Sequence, residues 1–147
     1  IKKYFVEEIK RVISQGVKVN ILGEINKLPK DVKLILKDAE KLTKKNKKII
    51  VNLAINYGSR NEIINAIKKL KKISIRNIEK NLYTKNLPNP DILIRTGGYK
   101  RLSNFMLWQL SYSELFFIEK LWPDFQTKDL KKIIKRYKKI KRNFGAL

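Results

Sequence analysis

The stretch that most constrains this chain is Pro88 to Phe125, PNPDILIRTGGYKRLSNFMLWQLSYSELFFIEKLWPDF. Asp91-Ile92-Leu93-Ile94-Arg95 is a short apolar run closed off by Pro90 on one side and Gly97-Gly98 on the other. Such a run predicts a buried strand. Thr96-Gly97-Gly98 predicts a sharp turn. Ser103 is placed as the N-cap of a helix that carries Phe105, Trp108 and Tyr112 at helical spacing. Arg95 then ends a strand, while Arg101 and Ser103 open the following helix. In open α/β sheets ligands bind at that edge, and the free N–H groups of a helix start favour anions. Two guanidiniums, a hydroxyl and those N–H groups make a phosphate cradle, because arginine grips phosphate oxygens in pairs.

The rest of the chain supplies the frame. Tyr4, Phe5, Ile9, Val12 and Ile13 follow helical spacing up to Gly16, and Val17, Val19 and Ile21 alternate as a strand that ends at Gly23. Val32, Ile35, Leu36, Ala39 and Leu42 form a helix stripe, with Asp31 near its start and Asn46 near its end. Ile49 to Ile55 is almost continuously apolar and predicts a parallel strand covered on both faces. Ser59-Arg60-Asn61-Glu62 fits a capping box for a helix with Ile63, Ile64, Ile67 and Leu70 inward. Ile75, Ile78 and Leu82 suggest a short helix. Leu115 to Ile118 reads as another strand, and Leu130, Ile133, Ile134, Tyr137 and Phe144 mark a basic helix after Thr127. Strands alternating with helices imply an α/β fold, a parallel β-sheet flanked by helices, within a single domain over residues 1–147. Opening on a helix is unusual for such a fold and suits a domain whose first strands lie upstream.

Composition removes several chemistries. With Cys 0 and His 0 there is no disulfide, thiolate or imidazole ligand, and no histidine catalysis. No run approaches the roughly 18 apolar residues of a membrane-spanning helix. The formal net charge of +22 admits nucleic acid or an anionic membrane as a partner. The lysines, however, are scattered over every predicted helix and form no single stripe, so the expectation is no nucleic acid.

The string Arg95-Thr96-Gly97-Gly98-Tyr99-Lys100-Arg101-Leu102-Ser103, continuing through Asn104 to Phe117 and followed by Leu121-Trp122-Pro123-Asp124-Phe125, resembles the C-terminal signature of cis-prenyltransferases, in particular the bacterial undecaprenyl diphosphate synthase branch. Asn52 to Arg60 resembles a second block of that family, and Ile21 to Glu24 a weaker one. The resemblance covers the C-terminal two-thirds of the family domain. It places the catalytic aspartate, in a Met-Asp-Gly-Asn context, upstream of Ile1.

The resemblance implies Arg95, Arg101 and Ser103 as ligands of isopentenyl diphosphate and Glu114 as a ligand of Mg²⁺. From the residues alone, Ser103 also reads as a cap, and Glu114 as a buried acid paired with an arginine. Asn56 and Arg60 fit either a substrate contact or local capping. Trp108, Trp122, Phe105 and Phe116 read as core. Tyr99 stands where bacterial members often carry Glu. Asn143-Phe144-Gly145 stands where the family often ends in Arg-x-Gly, with Arg142 one place earlier. The implied activity is condensation of isopentenyl diphosphate onto farnesyl diphosphate, giving a cis-polyprenyl diphosphate for a cell-wall lipid carrier. The implied enzyme is a cytoplasmic homodimer that touches the membrane through its product. The competing readings are a non-catalytic subunit of a heteromeric cis-prenyltransferase and a basic nucleic-acid-binding domain.

Overall fold

A computed structural model describes residues 11–142. The predicted helix positions Tyr4, Phe5 and Ile9, and the terminal Asn143, Phe144 and Gly145, lie outside the described residues. The chain divides between Lys85 and Asn86 into two compact units, each built on a parallel pair of strands. The α/β class expected from the alternating pattern is the one found.

In the first unit a helical turn at residues 11–14 leads through Gly16, at φ 74°, into β1 (Val17–Leu22). Helix α1 (Lys30–Thr43) returns the chain to β2 (Ile49–Ala54), which pairs in parallel with β1 from Val17↔Ile49 to Leu22↔Ala54. Helix α1 packs on β1 through Leu36 and Ala39, and its side chains also satisfy that strand's outer edge. The Val19 N–H donates to Thr43 Oγ1 at 3.0 Å, and the Ile21 N–H donates to Glu40 Oε1 at 2.8 Å. An edge whose donors are taken by side chains offers no template for another strand. Asn46 closes the return, donating to the carbonyls of Ile13 and Val17.

Three expectations for this unit need correction. The run from Ile49 is not covered on both faces: all six residues of β2 are exposed, Ile49 at 55%. Among the described residues its one strand neighbour is β1, and α1 lies on β1. Helix α2 (Ser59–Ile67) takes Gly58 as its N-cap, with no side-chain capping bond. Glu62 is instead buried, accepting from the Tyr57 hydroxyl at 2.5 Å and from the Tyr83 N–H at 2.7 Å. A buried carboxylate needs such donors, so Glu62 ties α2 to the segment beyond α3 (Ile75–Glu79). Turning Glu62 and Ala66 inward rotates Ile64 outward, where it is half-exposed. Helix α3 is capped by Ser74, whose hydroxyl accepts from the Asn77 N–H, and it buries Ile78 with Leu82 just beyond.

The second unit holds β3 (Ile92–Arg95) and β4 (Glu114–Phe117), parallel and in register from Ile92↔Glu114 to Arg95↔Phe117. A 3-10 turn at Trp122–Asp124 leads to α4 (Thr127–Tyr137). Gln126 and Asp129 form a reciprocal capping box at the start of α4, and Ile133 buries its inner face. Phe116 is core, as expected, while Phe105 and Trp108 are half-buried. Trp122 is not core: it is 73% exposed and stacks on Phe125 with 5.9 Å between ring centres.

The connection between β3 and β4 contains no helix. Residues 101–113 form a series of turns, because Ser103, Asn104 and Met106 hold positive φ of 49°, 63° and 46°. Left-handed backbone at three of four consecutive positions cannot propagate a right-handed helix. The predicted helix carrying Phe105, Trp108 and Tyr112, and its N-terminal N–H groups, are therefore absent.

Candidate diphosphate site

The site grows from the end of β3. Beyond Arg95 the backbone must reverse, and Gly97 and Gly98 do so at φ 89° and 78°, a region open to glycine and strained for other residues. The turn is fastened to the strand alongside: the Gly97 N–H donates to the Lys120 carbonyl at 2.8 Å, and the Gly98 N–H to that of Ile118 at 2.9 Å. A side chain at position 98 would place its Cβ 2.7 Å from Glu119 Oε2. The chain then folds back over the strand end.

Arg95, Arg101 and Ser103 meet here. Arg95 Nη1 donates to Ser103 Oγ at 3.0 Å and to the carbonyl of Arg101. Ser103 is therefore not a helix cap; its left-handed backbone turns the hydroxyl to the guanidinium. Leu93, Ile94, Thr96, Leu102 and Phe105 join the two arginines around an open cleft of about 260 Å³. Its lining mixes apolar side chains with Thr96 and the two arginines, which are its only charged residues. Neither guanidinium has an ion-pair partner among the described residues. The residue that the sequence left without a role is Tyr99: its ring lies 4.0 Å from Arg101 Cζ and 5.8 Å from Arg95 Cζ. An aromatic two residues before Arg101, in a turn, was the available signal.

Glu114 stands apart from this cluster. It is the first residue of β4, level with Ile92, whereas Arg95 is level with Phe117. Three residues of strand separate the two levels, roughly 10 Å. Glu114 is half-buried, and no cation lies within ion-pair distance of it among the described residues. A carboxylate of that kind fits as one oxygen donor to Mg²⁺, which takes one or two protein carboxylates together with phosphates and water. Among the described residues no three Asp, Glu, His or Cys side chains gather into a metal cage.

At that same end Arg142 is fully engaged. Its Nη1 donates to Asp91 Oδ1 at 2.8 Å and to Tyr137 Oη at 2.6 Å, and its Nη2 to the Tyr112 carbonyl at 2.9 Å. Arg142, with help from the Tyr137 hydroxyl, holds the Asp91 carboxyl below its ordinary range. In the first unit Asn56, at φ 48° just beyond β2, donates to the Glu24 carbonyl at 3.0 Å, a local structural bond. Glu24 itself accepts from Asn65 and pairs with Lys27. No helix of the described residues is long and apolar enough to cross a membrane.

The parallel strands, with a cleft at the carboxyl end of β3 lined by two guanidiniums without a carboxylate partner among the described residues, define an α/β protein with a basic site. The family model described as "Putative undecaprenyl diphosphate synthase" matches residues 1–145, and the chain belongs to this cis-prenyltransferase family. It is 42% identical over 147 residues to the tritrans,polycis-undecaprenyl-diphosphate synthase (geranylgeranyl-diphosphate specific) of Pyrococcus furiosus, covering 92% of this chain and 56% of that protein. It is 41% identical over 147 residues to the isoprenyl transferase of Rickettsia prowazekii, covering 97% of this chain and 65% of that one. The crystal structure of a probable undecaprenyl diphosphate synthase from Campylobacter jejuni superposes with a TM-score of 0.88 at 36% identity, over 98% of this chain and 70% of that one. Lavandulyl diphosphate synthase from Lavandula x intermedia, solved with dimethylallyl diphosphate, gives 0.91 at 33% identity, over 97% and 67%. The chain thus spans a little over half to two-thirds of the length of these curated relatives.

Proposed function

We propose that the protein containing this chain condenses isopentenyl diphosphate onto an allylic diphosphate, with the Arg95 cleft as the seat of the isopentenyl diphosphate. The observation that carries this reading is a cleft lined by Arg95 and Arg101, with the Ser103 hydroxyl bonded to Arg95 and no carboxylate among the lining residues. Guanidiniums grip diphosphate oxygens in pairs, and Ser103 adds a hydroxyl. Leu93, Leu102 and Phe105 suit the five-carbon tail. Holding both ends fixes the double bond of isopentenyl diphosphate against the allylic carbon, which is a positioning effect. In the reaction the allylic carbon–oxygen bond breaks and a carbon–carbon bond forms. A proton leaves the isopentenyl unit as diphosphate is released.

Glu114 would give Mg²⁺ one carboxylate oxygen, and the ion, when bound, offsets charge developing on the departing diphosphate. The catalytic aspartate of this reading is not among residues 1–147. Farnesyl diphosphate is the proposed primer and an undecaprenyl-type diphosphate, serving as a cell-wall lipid carrier, the proposed product. Parallel assays with farnesyl and geranylgeranyl diphosphate decide the primer. The proposed assembly is a homodimer, supported by exposed Leu107, Tyr112 and Leu115 on and beside β4. The test of the site is Arg101→Ala in the intact protein. Losing a charged hydrogen bond to phosphate costs about 1.5–3 kcal/mol, so KM for isopentenyl diphosphate should rise roughly tenfold or more while KM for the primer holds. An equal rise for both substrates would show that Arg101 does not belong to the isopentenyl diphosphate seat.

A further inference from the structure

Two cations held side by side repel each other, and something must fix Arg95 and Arg101 in one place without cancelling their charge. The groups around them are a carbonyl, a hydroxyl and an aromatic ring, all neutral. Arg95 is held by the Arg101 carbonyl and by Ser103 Oγ. Among the described residues the Arg101 guanidinium donates no hydrogen bond; it rests on the Tyr99 ring, 4.0 Å from Cζ, and Arg95 Cζ lies 5.8 Å from the same ring. The face of an aromatic ring carries negative potential, so a guanidinium over it is attracted without being neutralised.

We propose that Tyr99 is a positioning residue for diphosphate recognition: its ring orients the guanidinium of Arg101, and more weakly that of Arg95, toward the cleft. The inference rests on the reading of this cleft as the isopentenyl diphosphate seat. Tyr99 is 55% exposed and does not line the cleft, so it acts through the arginines and not by touching the substrate. The ring is the working part, and the hydroxyl is dispensable.

The experiment is steady-state kinetics on the intact protein with isopentenyl diphosphate varied. Tyr99→Ala should raise KM for isopentenyl diphosphate about two- to fivefold, the worth of one exposed cation–π contact. Its kcat, its KM for the allylic primer and its melting temperature should stay level. Tyr99→Phe should restore the parent KM. In an Arg101→Ala background, Tyr99→Ala should add little, because the group it orients is gone. The positioning role is overturned if Arg101→Ala raises KM while Tyr99→Ala does not, or if the Tyr99→Ala effect is equal in both backgrounds. Failure of Tyr99→Phe to restore KM would shift the role to the hydroxyl and overturn it as well. If Arg101→Ala itself leaves KM unchanged, the reading of the cleft fails first, and separately.

Discussion

The two ends of the β3–β4 pair both carry arginine, and they use it in opposite ways. At the amino end Arg142 meets the Asp91 carboxylate, the Tyr137 hydroxyl and the Tyr112 carbonyl. Its charge is matched, and the bonds link α4 to the start of β3 and to the turn before β4. At the carboxyl end Arg95 and Arg101 meet only neutral partners among the described residues and face an open cleft. The same side chain is a structural clamp where a carboxylate answers it, and is left to a ligand, on the proposed reading, where none does.

The sharpest way to break the comparison is to remove one arginine from each end. Arg95→Ala deletes the proposed phosphate contact and also frees Ser103 and the Arg101 carbonyl. It should lower kcat/KM for isopentenyl diphosphate by roughly a hundredfold, about 3 kcal/mol, with a small change in melting temperature. Arg142→Ala should do the reverse, lowering the melting temperature and leaving KM for isopentenyl diphosphate level. Kinetics and thermal melting on the two variants decide it. An Arg142→Ala protein that melts normally but binds isopentenyl diphosphate poorly would make both ends functional and end the distinction.

A smaller effect should follow from the turn that holds the cationic end in place. Gly98→Ala asks a Cβ to sit at φ 78° beside the Glu119 carboxylate. Left-handed backbone costs a non-glycine residue about 1–2 kcal/mol. The turn should loosen by about that amount, seen as a lower melting temperature and a raised KM for isopentenyl diphosphate. Lowered melting with an unchanged KM would show that the Gly97-Gly98 turn stabilises the unit without positioning the arginines.

Much of this arrangement is legible in the chain, for physical reasons that differ from residue to residue. Ile92 to Arg95 and the two glycines announce strand and reversal because apolar runs and positive φ leave strong local marks. Arg95, Arg101 and Ser103 are readable as a cluster because the turn between them is short. The helix after Ser103 is misread because spacing reports side-chain periodicity and is blind to left-handed backbone at Ser103, Asn104 and Met106. Glu62 imitates a capping residue because the signature is local, while its partner, the Tyr83 N–H, lies 21 residues along the chain. Tyr99 escapes notice because its place two residues before Arg101, in a turn, points to a cation–π contact only once the fold-back is known. The exposure of β2 is equally hidden, since an apolar run gives composition and not what lies against it.

The smallest expected effect sharpens the matched end, and its sign follows from the direction of the Asp91 shift. Arg142 first, then the Tyr137 hydroxyl, lowers the Asp91 carboxyl below its ordinary value in the folded protein. In the unfolded chain it returns to about 3.9. A lowered folded value means that the clamp stabilises the protein above the unfolded value, at neutral pH included. That contribution drains away as the pH falls below about 4 and through the folded value. The Asp91 side chain is 67% exposed, so solvent screens the pair and the effect is small. Asp91→Asn should therefore melt slightly lower than the parent near neutral pH, and the two curves should converge in acid. The amide still accepts from Arg142, so any difference isolates the charge. Asp129, lowered chiefly by Lys120 and held by the capping bond from the Gln126 N–H, titrates the same way in both proteins and cancels in the comparison. Melting curves from pH 7 down to pH 3 are the measurement. A constant offset across that range would mean that Asp91 acts through its shape and hydrogen bonds, and that charge matching is not what separates the two ends of the sheet.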